Sequence, residues 1–187
     1  MKKLLSIVLA SALCAPAFAQ KMGSSNSNAP TVKQTVMAGE AKISLDYTSI
    51  TWASGATMGR ILDKEGGAKV RARTNDTASK APLGALSTSV DLMCGDVHLP
   101  AGEYQVYFTI TEDLAWQINF QGKDKTHTMK LDLANSDHES KRLMLCLYAG
   151  EEEGAGVYVA FGKQSGMLSL KPHSGKEAKD ANAKDSK

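Results

Sequence analysis

This 187-residue chain has three cysteines, 6% aromatic residues, almost no excess charge and no apolar run long enough to cross a bilayer. A spanning helix needs about 20 consecutive apolar residues, and the most apolar stretch here, residues 4–13, is half that length. That excludes a helical membrane span. The charge balance excludes another class. Twenty-two Lys and Arg face twenty Asp and Glu, and no basic run interrupts the folded part of the chain. Phosphate-backbone binding needs clustered cations, so nucleic acid is not an expected partner.

Catalytic signatures are equally scarce. No Gly-x-Ser-x-Gly elbow is present, and His98, His127, His138 and His173 show neither H-x-H nor H-x-x-x-H spacing. The paired acids Glu112-Asp113 and the run Glu151–Glu153 fall in turn-like segments, without the spacing of a calcium loop. No metal or cofactor is expected from these patterns, and no catalytic residue is assigned.

What the chain does have begins at its amino terminus. Lys2 and Lys3 precede an apolar stretch that ends near Ala17-Phe18-Ala19. That is the layout of a secretory signal peptide over residues 1–19, cleaved before Gln20. Cys14 offers a competing reading as a lipoprotein acylation site, although Leu13 before it is bulky. The expected location is therefore periplasmic or secreted. Removing Lys2 and Lys3 leaves twenty charges of each sign, with residues 41–170 mildly acidic at −3. Cys94 and Cys146 survive processing; in an oxidising compartment they allow a disulfide, and two unpaired thiols are the other reading.

Residues 20–40 open on QKMGSSNSNAP and are expected to form a flexible linker. Residues 172–187, PHSGKEAKDANAKDSK, are expected to be a disordered Lys-rich tail. Between them, over 41–171, apolar residues alternate with period two: Ile43, Leu45 and Tyr47; Tyr104, Val106, Phe108 and Ile110; Trp116, Ile118 and Phe120; Leu143, Leu145 and Leu147; Val157, Val159 and Phe161. Turn residues separate these runs at 99–102, 111–113, 121–124 and 162–166. No run holds helical periodicity for three turns. The pattern predicts an all-β antiparallel sandwich, jelly-roll-like or partly closed into a barrel, with about 8–10 strands.

The stretch 99–120 (LPAGEYQVYFTITEDLAWQINF) resembles the bacterial domain-of-unknown-function family 2911. The resemblance rests on Leu99, Pro100, Ala101, Gly102 and Tyr104 leading into a hairpin and Trp116. Met58-Gly59-Arg60-Ile61 and residues 157–170 add to it, with Phe161 standing where a Trp is common. It departs at residues 70–76, which keep Arg73-Thr74 and Asn75-Asp76 but lack the family's Trp and Gly-Ala pair. The family implies a fold and an exported location, and no chemistry.

One polar cluster remains. Arg60, Arg71, Arg73, Asn75 and Asp76 include every arginine of the processed chain except Arg142. On a strand, Arg71 and Arg73 would share a face. Two guanidinium groups there could hold a carboxylate, sulfate or phosphate, or simply pair with acids on a solvated sheet. The function that follows is a non-catalytic binding or interaction module of the cell envelope, taking a small anionic ligand or an envelope component. An envelope hydrolase with a cleft built from loops is the alternative.

Overall fold

The computed structural model describes residues 28–51, 56–150 and 154–173. The expected signal peptide, most of the segment before Pro30, Glu151–Glu153 and the Lys-rich segment beyond His173 lie outside the described residues.

Among the described residues the period-two pattern folds into ten strands in two antiparallel sheets. The larger sheet runs β1 (Thr31–Ala38), β2 (Ala41–Thr48), β3 (Gly84–Thr88), β6 (Gly102–Ile110), β7 (Trp116–Gln121) and β8 (Thr126–Leu131). The smaller runs β5 (Val97–Leu99), β4 (Leu92–Cys94), β10 (Ala155–Pro172) and β9 (Ala134–Ala149). The fold is the expected all-β sandwich and is not closed into a barrel. The alternating residues of β2, Ile43, Leu45 and Tyr47, face the core at 0–4% exposure. Leu143, Leu145, Leu147, Val157 and Val159 are buried in the same core from the smaller sheet. Each such side chain contributes about 1.5–3 kcal/mol on leaving water.

The two flanks of the sandwich differ. On one flank the sheets are laced together. The Gln34 side chain of β1 acts as a surrogate peptide group: its Nε2 donates to Leu145 O at 2.6 Å, and its Oε1 accepts from Leu147 N–H at 2.8 Å. Below it, Leu143 N–H donates to Ile50 O at 2.8 Å and the Ser49 hydroxyl to Leu143 O at 2.9 Å. On the other flank β8 and β5 are the edge strands of their sheets, and no ladder joins them.

Three expectations need correction, and one of the two readings left open for the cysteines falls. Residues 31–38, assigned to the linker, form strand β1, because Val32, Val36 and Ala38 supply an apolar face that packs on the core. Residues 162–166, expected to be a turn, lie inside the long strand β10. Gly162 takes φ 62° there, and two register shifts bend the chain so far that Met167 comes back to Tyr148, which stands opposite Gly156. Residues 70–76 are helical: α2 spans Ala68–Lys80, preceded by α1 (Ala56–Ile61). Cys94 is buried on β4 and Cys146 is exposed on β9, and both are free thiols, so no disulfide joins them.

Helix α2 escaped the sequence pattern because it is polar nearly throughout, with only Arg71 and Ala78 buried. Its hold on the rest of the molecule comes from side chains bonding to backbone. Arg71 donates to Ile61 O at 3.0 Å and to Asp63 O at 2.6 Å, fixing the turn between the helices. Gly67 is required in that turn, since a Cβ there would stand 2.3 Å from Asp63 O and 2.6 Å from the Arg71 guanidinium. Asn75 grips the end of β6 through both amide atoms, Nδ2 to Ile110 O at 2.8 Å and Ile110 N–H to Oδ1 at 3.0 Å.

Candidate functional site

The five residues read as an anion cluster divide into two kinds. Arg71 and Asn75 are committed to backbone carbonyl and amide groups, and both hold the helices in place. Arg60, Arg73 and Asp76 are exposed. Because residues 71 and 73 lie on a helix, they point to opposite sides of it, one buried and one in solvent. The shared face expected of a strand does not exist. Asp76 pairs with Lys80 at 2.8 Å, an exposed i,i+4 contact of small energetic worth.

A concavity among the described residues lies elsewhere, on the open flank where β5 faces β8. It is an open groove of about 680 Å3. Asp96, Val97 and His98 line it from β5 and the turn before it, Pro100 and Tyr104 from the β5–β6 corner, and residues 122–128 from the β7–β8 hairpin. The hairpin turn is closed by Gly122 N–H donating to Lys125 O at 2.9 Å. That turn lifts Lys123 and Lys125 to the rim, with Thr126, His127 and Thr128 following along β8.

The corner at 99–104 is fixed by its own side chains. The Tyr104 hydroxyl donates back to Pro100 O, four residues upstream. Ala101 N–H donates to Asp91 Oδ1 at 2.8 Å, and Gly102 takes φ 154°, a value that side chains rarely adopt. The remaining oxygen of Asp91 accepts from His98 Nε2 at 3.0 Å. One carboxylate thus pins the corner and orients the imidazole. The Ala101 amide is the main reason that the Asp91 carboxyl is held below the usual carboxylate range; His98 adds to it, and partial burial opposes it. The His98 ring also meets His173 edge-on at 5.3 Å, and His173 N–H donates to Asp91 O at 2.8 Å, so the end of β10 is tied to the same corner.

Across the groove His127 packs edge-on against Tyr104 at 5.9 Å. Burial, then the nearby charges of Lys125 and His98, push the His127 imidazole below the usual histidine value. Burial and the Asp91 charge push the Tyr104 phenol up, which keeps it a neutral donor to Pro100. The groove therefore presents two ammonium groups, two imidazoles and three hydroxyls, against the carboxylates of Asp96 and Asp124.

No serine, threonine or cysteine bonds the His98 ring among the described residues. Nor do three His, Cys, Asp or Glu side chains converge there on a metal position. Cys94 is no nucleophile, since burial pushes its thiol up to about 12. Reading along the chain separated His98, Asp91, His127 and Lys125 over 37 positions; only the pairing of β4 with β5, and of β7 with β8, brings them to one groove. Comparison with protein-family models, with curated proteins and with solved structures finds no match.

Proposed function

We propose that this protein is an exported, non-catalytic binding module of the cell envelope, and that the groove between β5 and β8 takes a small anionic ligand. The observation that carries the reading is the convergence of His98, His127, Lys123 and Lys125 on one groove, with His98 oriented by Asp91. Cationic donors carried on three turns and strands give a carboxylate, phosphate or sulfate several charge-assisted hydrogen bonds at once. Protonation of the His127 imidazole, which burial holds below the usual histidine value, tips a groove of balanced fixed charge towards positive, so affinity rises as pH falls through its titration. The groove replaces the Arg60, Arg71 and Arg73 cluster as the ligand site, because Arg71 is consumed by Ile61 O and Asp63 O.

Calorimetric titration with a panel of small carboxylates, phosphates and sulfates tests this. His98→Ala and Lys125→Ala each weaken binding of the preferred anion, and added salt weakens it further. The melting temperature stays within a degree or two, since both side chains are exposed. Binding that survives both changes and is lost in Arg60→Ala or Arg73→Ala contradicts the groove assignment.

One observation favours an envelope hydrolase: an imidazole held by a carboxylate is the arrangement of a general base and its orienting acid. On that reading, water is the nucleophile and ester hydrolysis disappears in His98→Ala. Unchanged, background-level hydrolysis in wild type and variant supports the binding module.

A further inference from the structure

We propose that the groove takes the C-terminal carboxylate of an extended peptide, which adds to the free edge of β8 as a further antiparallel strand. This names the ligand class of the anion groove and rests on that reading. The edge follows from the register. Gly122 N–H bonds Lys125 O, so residues 122 and 125 form a bonded pair. Along an antiparallel ladder, pairs that exchange hydrogen bonds alternate with pairs that exchange none. His127, Met129 and Leu131 therefore turn their N–H and C=O groups to Phe120, Ile118 and Trp116 of β7. Thr126, Thr128 and Lys130 turn theirs away from it. β8 is the last strand of its sheet, and no hydrogen bond among the described residues meets those outward groups.

Free edges are normally guarded by proline, by bulges or by charged side chains. β8 has no proline and no register shift, and its one lysine, Lys130, stands at the end away from the groove. Thr126 and Thr128, at the near end, line the groove themselves. The opposite flank is covered by contrast, since the Gln34 side chain occupies the edge of β9.

Chain direction places the carboxylate. An antiparallel neighbour of β8 runs from Lys130 towards Thr126, so its C-terminus arrives at the hairpin turn. There Lys123 and Lys125 stand on the rim and His98 lines the groove from β5. Charged donors at that end bond the terminal carboxylate, while backbone bonds to Thr126 and Thr128 hold the residues before it. Side chains alternate along the added strand, so the one opposite His127 turns inward towards Val97, Pro100 and Tyr104 and is apolar. A small anion fills the cationic end and leaves the edge bare.

Fluorescence anisotropy on the full chain tests this, with an N-terminally labelled hexapeptide of alternating Thr and Val that ends in a free carboxylate. Acetate and phosphate affinities are read by competition. The peptide binds more than about tenfold tighter than either anion, and amidating its terminus weakens it by about tenfold or more, the loss of a hydrogen bond to a charged group. Thr128→Pro weakens it to a similar degree, because proline there removes an N–H that faces the peptide and none that faces β7. Thr128→Val loses the same hydroxyl bond to Asn119 but keeps the N–H, and binds as wild type does. Of two peptides N-methylated at alternate amides, one loses binding to the unaltered protein, since only every second amide faces β8. Equal binding of the amidated and free peptides overturns the proposal. So does undiminished binding of both methylated peptides, or of the free peptide by a folded Thr128→Pro protein. Anions that bind while the peptide binds no tighter overturn the strand addition and leave the anion groove standing; peptide and anions that all fail to bind overturn both.

Discussion

At the scale of single residues, Asp91 ties the corner at 99–104 to the end of β10. Its two oxygens hold the Ala101 amide and the His98 ring, and its own carbonyl receives His173. The corner it pins depends on Gly102. A Cβ at Gly102 would meet nothing within 4 Å, so the demand for glycine is one of backbone conformation alone. Gly102→Val is expected to cost about 1–3 kcal/mol, the range for strain at such a position, read as a drop in the urea midpoint. An unchanged midpoint would show that the corner tolerates a side chain. The two thiols give a second expectation at this scale. Cys146, exposed, reacts with a thiol reagent in the native protein; Cys94, buried and pushed up to about 12, reacts only after denaturation. Denatured, unreduced protein with neither thiol titratable would restore the disulfide.

At the scale of elements, strands were legible and the helix was not, for a physical reason. A strand with one face in a core writes its period into the apolar residues, as Ile43, Leu45 and Tyr47 do. Helix α2 is held instead by Arg71 and Asn75 bonding to backbone groups, a kind of attachment that leaves no hydrophobic period. Strand β10 hid its continuity for a related reason: Gly162 and Gly166 are turn residues by type, yet one sits at a bend within the strand and the other packs closely against Asp132 O. The docking of α2 gives a prediction. Arg71→Ala removes both bonds to the turn and leaves two carbonyls to find other partners, costing about 1–3 kcal/mol. Arg73→Ala, on the solvent side, changes stability by less than about 0.5 kcal/mol. Paired denaturation curves check this; equal losses in the two variants would mean that Arg73 has a structural partner of its own.

At the scale of the whole molecule, the asymmetry of the sandwich decides where function is sought. Gln34, Ser49 and Ile50 lace one flank to β9, while the flank between β5 and β8 stays open and brings His98 and His127 together. The sequence placed an anion site among the arginines because charge density is visible along a chain, whereas convergence across two sheets is not. The most direct measurement follows the His127 ring proton by NMR across pH, with and without the preferred anion from the titration panel. Without ligand, the His127 midpoint lies below the usual histidine value of about 6.5. A bound anion favours the charged imidazole and so raises that midpoint, as linkage requires. An anion that binds while the His127 titration stays fixed, or a panel in which none binds, would contradict the groove as the ligand site.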